Sequence, residues 1–387
     1  MDIDAARSSN HSMIRKPRRN DFPPGFANTT NQETNHECAD SFAVATRRKA
    51  NFDPGLHPPK TNPNTQDFIM EMLLAQELIA CLSNESSYFY YYPDRYGVFL
   101  LGHAAARGPR IAELRGGPFA GLLHKPNIKA LLAHHGDGKL SAETVRYLDW
   151  SPTVEHFRLS IGTWSGERDR FRWAQTSRRG INLVLRLDFS ADHVRHYRRL
   201  VRPRGQTGAG PFEYVGHPIS SVRETLAWVR LDLDWTRGEA LIEEVQSDWI
   251  GNARWAAARA RQWLTRPVEK RPRLFRLIGG RWQDVVRYYE ERLAFHRRYW
   301  DDAALTAALW LIVEVFGLHR IWYHSHDSGR LFKRCGEPPR SLYTALPRRF
   351  CFTAVNDLPE IIGGEKRQKD AVKRAEREDV RMFRLDL

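Results

Sequence analysis

A chain of 387 residues, 42% of them hydrophobic, can hold two domains, or one large domain with appendages. The 60 Lys and Arg against 46 Asp and Glu leave a net charge of +14, which favours polyanionic partners. No apolar run reaches the roughly 18 residues of a membrane span, the first residues lack a secretory core, and Cys38, Cys81, Cys335 and Cys351 show no CxxC spacing. The expectation is a cytoplasmic protein with free thiols, no zinc site, no disulfide framework and no membrane partner.

Residues 1–65 are polar, rich in Asn, Thr and Pro, and have no sustained period, so a disordered basic arm is expected. Its clusters Arg15-Lys16-Pro17-Arg18-Arg19 and Arg47-Arg48-Lys49 suit an anionic partner. Asp67 to Leu82 reads as an apolar helix, and Tyr88 to Leu101 as a hairpin of aromatic strands turning at Pro93-Asp94. Ile111 to His135 holds at least one helix, closed by Gly136-Asp137-Gly138, and Ser141 starts another. His134 and His135 are adjacent, so on a helix they diverge and share no face.

Glu155 to Thr163 and Ile181 to Phe189 read as strands. Ser190 caps a helix over Ala191 to Val201 that carries Arg195, His196, Arg198 and Arg199. Pro203 to Gly210 is a glycine-rich loop without the Lys-Ser/Thr ending of a phosphate-binding loop.

Leu226 to Trp249 is the best-defined stretch. Val229, Leu231 and Leu233 alternate with Arg230, Asp232 and Asp234, the period of a half-buried strand. Ala240 to Val245 returns, and Gly238 takes the left-handed position of a three-residue loop. That loop pairs Trp235 with Glu239, Leu231 with Glu243, Arg230 with Glu244 and Trp228 with Gln246. Glu243 then lies on the apolar face with Leu241 and Val245, while Glu244, Gln246 and Asp248 line the other. A buried carboxylate suits a general base, and equally a structural pair with an arginine.

Gly251 to Leu264 and Gln283 to Trp300 read as helices, and Arg254 to Arg298 is basic enough to be an anion-binding surface for a phosphorylated small molecule or nucleic acid. Asp302 caps the nearly all-apolar helix AALTAALWLIVEVFGL, which Gly317 ends. Arg320 to His324 is a strand, followed by Ser325-His326-Asp327-Ser328-Gly329 and a short helix over Arg330 to Cys335. Phe350 to Val355 is a last strand, and 364–387 a charged helical tail. His324, His326 and a carboxylate have the residue types of a metal set, but His-x-His pairs are common and no metal is expected. A Ser-His-Asp hydrolase lacks its nucleophile elbow here.

The order strand, antiparallel hairpin, helix, buried helix, strand, short helix, strand resembles the core of GNAT-type N-acetyltransferases over Ile181 to Val355. The string IEEVQSDW, Ile242 to Trp249, is similar to one in uncharacterised polyvalent proteins of phages and mobile elements. The resemblance implies an α+β fold, with a mixed, mainly antiparallel central sheet, flanking helices and a helical insertion at 254–300. It further implies transfer from an acyl-CoA donor to an amine. Glu243 or Glu244 would be the base, with Gln246, Asp248, His324 and His326 around the site and Tyr343 as general acid. Gly251, Asn252, Ala253 and Arg254 would hold the pyrophosphate at a helix N-terminus. The competing expectation is a non-catalytic nucleic-acid-associated protein binding through its basic face. On either reading the chain divides into 1–65, a 66–160 α+β subdomain, the 161–360 core and the 361–387 tail.

Overall fold

The computed structural model describes residues 88–106, 108, 110–133, 138–146, 153–164, 175–178, 181–204, 209–270, 277–333, 339–363 and 368–387. The expected arm at 1–65, the helix at 67–82 and the His134-His135 pair lie outside them.

The alternating segments become strands: β1 Tyr88–Tyr91, β2 Glu155–Trp164, β3 Asn182–Phe189, β4 Thr225–Asp234 and β5 Glu239–Gln246. With β6 Arg320–Tyr323, β7 Thr353–Val355 and β8 Met382–Asp386 they form one sheet. Its order is β1-β2-β3-β4-β5-β6-β8-β7. Every neighbouring pair is antiparallel except β5 and β6. The fold is therefore α+β with a mixed, mainly antiparallel sheet and flanking helices.

The helices are α1 Arg95–Ala105, α2 Ile111–Gly116, α3 Pro126–Ala133, α4 Ala142–Arg146, α5 Ala191–Leu200 and α6 Asp248–Leu264. They continue with α7 Trp282–Arg287, α8 Ala294–Trp310, α9 His326–Phe332, α10 Ala345–Arg349, α11 Glu360–Gly363 and α12 Lys369–Arg377. A parallel partner for β5 needs a long crossover, and α6, α7 and α8 supply it. The main core joins Ala240, Ile242 and Val245 of β5 to Ala253 and Ala256 of α6 and Leu305 and Leu309 of α8. On the opposite face Leu241 packs with Trp322, Phe332, Ile362 and Met382. Among the described residues no helix is long and apolar enough to cross a membrane.

Several expectations are corrected. Tyr88 to Leu101 is not a hairpin, because Pro93 stops β1 and Tyr96, Leu100, Leu101 and Ala105 are buried at helical spacing in α1. Asp94 enters that helix with a left-handed φ of 65°. Asp302 caps nothing, since no breaker stands between Ala294 and Trp310 and α8 runs straight through it. The short helix begins at His326, where Ser325 accepts a bond from the Ser328 amide, and not at Arg330. The tail is helix α12 followed by β8, which inserts between β6 and β7. Strands from the expected 66–160, 161–360 and 361–387 segments thus share one sheet.

The hairpin register is right at one end and wrong at the other. Trp228 pairs with Gln246 and Arg230 with Glu244, as the alternation predicts. Leu231 then pairs with Ile242, not Glu243, and Asp234 with Glu239. Glu243 is the extra residue of a β-bulge, which absorbs a turn one residue longer than expected. Gly238 is left-handed at φ 67°, as the turn requires.

Candidate functional site

The bulge gives two successive carboxylates one side of the sheet. Glu244 accepts from Arg230 at 2.7 Å, and Arg230 also donates to the Gln175 carbonyl at 3.0 Å. Glu243 meets the same segment two residues on. The Ser177 amide donates to its Oε1 at 2.9 Å and the Ser177 hydroxyl to its Oε2 at 3.0 Å.

His324 closes the group from the end of β6. Parallel pairing stops at Ile242 and Tyr323, so the next residues on each chain, Glu243 and His324, stand beside each other. His324 Nε2 lies 3.3 Å from Glu243 Oε2 and 2.7 Å from Ser177 Oγ, while Nδ1 lies 3.0 Å from Ser328 Oγ. The Lys333 ammonium donates to the Glu243 carbonyl, and also to the Tyr343 hydroxyl at 3.0 Å. Tyr343 donates in turn to the Glu243 carbonyl at 3.3 Å. Gln368 donates to the carbonyl of Ser177. Glu243, His324 and Ser177 are 0% exposed, and Lys333 is 2% exposed.

Burial alone would raise the Glu243 pKa. The hydrogen bond and charge of His324, with the charges of Lys333 and Arg230, overcome it and bring the carboxyl down to about 2. Burial pushes His324 below its ordinary value, against the pull of Glu243. At neutral pH we therefore assign an ionised Glu243, held by the His324 hydrogen bond, the two Ser177 donors and the charges of Lys333 and Arg230. A fully buried carboxylate with a pKa of about 2 is a poor general base. Nor is this a serine nucleophile relay: Ser177 and Glu243 both sit on Nε2, whereas a relay needs them on opposite ring nitrogens.

The remaining expected residues do not join this group. Gln246 is half-buried opposite Trp228. Asp248 opens α6 and bonds His217 Nδ1 at 2.7 Å. His326 starts α9, 3.5 Å from Asp327, and does not share a strand face with His324. Among the described residues no group of three or more His, Cys, Asp or Glu is placed to hold a metal ion.

The pyrophosphate cradle is also displaced. Helix α6 begins at Asp248, three residues before the expected start, and Ser247 Oγ caps it by accepting from the Ile250 amide at 3.3 Å. The free amides of a helix end at its third residue. Gly251, Asn252, Ala253 and Arg254 therefore lie inside the hydrogen-bonded ladder, with Asn252 bonded to the Phe212 carbonyl and Ala253 buried. Of the described thiols, Cys351 is buried and its pKa is pushed up to about 11.

A second site opens at the surface, where Arg199, Leu200, Arg202, Arg281, Asp284, Arg287, Glu291 and Arg292 line a cleft of about 420 Å³. Backbone pairing builds it. Arg204 N donates to the Leu277 carbonyl at 2.7 Å, Gly279 N to Arg202 at 2.9 Å and Gly280 N to Val201 at 2.8 Å. A Cβ on Gly280 would collide with the Leu200 carbonyl, so only glycine allows this approach. The ribbon carries the end of α5 alongside the start of α7. After α7 a π-helical turn, Tyr288–Arg292, bonds Leu293 back to Tyr288 and places Arg292 beside the same cleft. Asp284 accepts from Arg281 at 2.9 Å and Arg287 at 3.3 Å, which orients both guanidinium groups. Five arginines against two carboxylates leave the lining with an excess of three positive charges.

No family model, curated protein or solved structure matches the chain. The geometry therefore stands on its own residues. It brings Glu243, His324 and Tyr343 together, and adds Ser177, Lys333 and Gln368, which have no local pattern to mark them. The expected basic stretch divides. Arg281, Arg287 and Arg292 enter the cleft with Arg199 and Arg202, whereas Arg261 and Arg297 pair with Glu290 and lie over the Tyr289 ring.

Proposed function

We propose that the protein binds a phosphate-bearing polyanion, a nucleic acid, through the arginine cleft between α5 and α7. The observation that carries this reading is the convergence of five arginines, two of them pre-oriented by Asp284, in one open cleft of a chain charged +14. Arginine forks match phosphate oxygens, and fixed donors bind them with less ordering cost. The test is fluorescence anisotropy of a labelled oligonucleotide over a salt series. Affinity should fall linearly on a log–log plot, with a slope of about 0.7–0.9 per phosphate contact. Arg287→Glu with Arg292→Glu should weaken binding at least about tenfold and flatten that slope by one to two contacts. No binding at low salt, or an unchanged slope in the variant, would overturn the reading.

An amine acyltransferase is the second reading. It is favoured by the strand order, with β5 and β6 parallel and their pairing ending where Glu243, His324 and Tyr343 meet. The described residues do not fit an acyl-CoA at that point. Buried Lys333 and Tyr343 occupy the Glu243 carbonyl just past the paired residues, the Gly251–Ala253 amides are taken, and Asp248 stands at the helix start. A thermal-shift titration separates the readings: stabilisation by acetyl-CoA supports the transferase, and none is expected.

A further inference from the structure

The cleft between α5 and α7 concentrates more charge than contact with a passing backbone requires. Its volume of about 420 Å³ falls in the roughly 300–1,000 Å³ range of small-ligand sites, room for a nucleotide-sized group. Arg199 and Arg202 line it from the end of α5 and the ribbon, and Arg281, Arg287 and Arg292 from α7 and the π-helical turn, so cations enclose it from two sides. Three of them are held in place: Asp284 accepts from Arg281 and Arg287, and His196 Nδ1 accepts from Arg199 at 2.9 Å. Arg202 has a left-handed φ of 50°, which strains a residue bearing a Cβ, and the bond from Gly279 N to the Arg202 carbonyl maintains it. Backbone strain of this kind clusters where a side chain has to be placed for a ligand. The lining has an excess of three positive charges, whereas an internal phosphodiester supplies one negative charge. A terminal phosphate carries about 1.5–2 negative charges at pH 7 and presents three acceptor oxygens. Glu291 also lines the cleft, and a carboxylate accepts hydrogen bonds and repels phosphate. The occupant must therefore carry a donor next to its phosphate, as the hydroxyl and amino groups of a nucleoside do.

We infer that this cleft holds the phosphorylated end of a nucleic-acid strand, with the terminal phosphate among the five arginines and the last nucleoside donating to Glu291. The inference rests on the nucleic-acid reading of the cleft and narrows it from the backbone to the strand's end. An arginine fork takes two phosphate oxygens at once, so a group with three free oxygens and a second charge engages several forks where a phosphodiester, with two free oxygens, engages fewer. The nucleotides behind the end add the salt dependence of any bound strand, one released counterion for each further phosphate contact.

The test is anisotropy of an internally labelled oligothymidylate of about 12 nucleotides, made with a 5′-phosphate, with a 3′-phosphate or with hydroxyls at both ends. One phosphorylated form should bind at least about tenfold tighter than the hydroxyl form, the gain expected from added charge-assisted hydrogen bonds. ATP and inorganic pyrophosphate should each displace that form at least about tenfold less well than the same strand unlabelled, since neither brings further backbone phosphates. Arg202→Gly removes one guanidinium while glycine adopts the left-handed φ without strain, so the variant should stay folded by its melting curve. It should lose about tenfold in affinity for the phosphorylated strand and less for the hydroxyl form. Equal affinity for all three strands overturns the inference; if Arg287→Glu with Arg292→Glu still weakens binding in that case, the nucleic-acid reading of the cleft survives alone. Displacement by ATP or pyrophosphate as effective as by the strand also overturns it, because the occupant is then a free phosphate compound. A folded Arg202→Gly that keeps the full preference for the phosphorylated end removes the cleft as its holder. If the parent binds no strand, both readings fall.

Discussion

Replacing Lys333 by methionine tests whether the Glu243 network is a charge-balanced unit. Lys333 is 2% exposed and Glu243 0%, so water cannot take over the lost cation. Removing one partner of a buried charge pair costs about 3–5 kcal/mol, because the other charge stays behind uncompensated. The Glu243 carboxyl supplies an upper bound, since His324 contributes more than Lys333 to holding its charge. Its pKa falls from 4.5 to about 2, and a difference of that size corresponds to about 3 kcal/mol. Since the folded pKa lies below the unfolded one, this stability is present above pH ~4.5 and is lost as the pH drops toward ~2. Lys333→Met should therefore cost up to about 3 kcal/mol at pH 7, a fall in Tm of at most about 6–12 °C. Glu243→Gln should cost a similar amount by giving up the stabilised charge. The double variant buries no net charge in this pair, so its cost should be smaller than the sum by at least about 1 kcal/mol. Urea denaturation of the four proteins at pH 7 measures this coupling. A Lys333→Met cost under about 1 kcal/mol, or additivity within about 0.5 kcal/mol, would refute a coupled buried pair.

Three further outcomes follow from other sites. Burial and the neighbouring Asp301 raise Asp302 from 3.8 to about 7, against the pull of Arg349, so stability should decline as the pH climbs from ~4 to ~7. Asp302→Asn should flatten that decline and raise Tm at pH 8; parallel Tm–pH curves for the two proteins would argue against it. Gly280→Ala forces a methyl group against the Leu200 carbonyl, so it should cost about 1–3 kcal/mol and loosen oligonucleotide binding at the cleft. Retained stability with intact binding would show that the ribbon does not shape the cleft. Ser247→Ala removes the α6 cap and the bond from Ser247 to the Leu226 carbonyl, with an expected loss of about 1–2 kcal/mol by chemical denaturation.

Much of the sheet is legible from neighbouring residues alone. Alternation over Val229 to Asp234 specifies a strand and Gly238 specifies a left-handed turn, whereas Arg230 meets Glu244 as counted only because the bulge at Glu243 offsets the longer turn. Ser190 marks the start of α5 through a side chain three residues from the amide it caps. These features depend on backbone geometry within a few residues, which local sequence encodes directly. The bulge at Glu243 is different, because alternation along one strand does not reveal an extra residue that only its partner exposes. The tail misleads for a similar reason: Met382 to Asp386 is too short to declare its place, and becomes a strand because β6 and β7 leave a slot between them.

The sequence by itself determined the strand periodicities, the Ser190 cap, the burial of one carboxylate and the overall positive charge. Tertiary structure alone decided what those residues touch. Ser177, Glu243, His324, Lys333 and Gln368 come from separate segments and meet where the pairing of two parallel strands ends. Arg202 reaches Arg281 and Arg292 through a backbone ribbon that only a glycine permits. Local sequence specifies periodicity within a few residues, whereas a site gathered from distant segments depends on the order in which strands pair across the sheet.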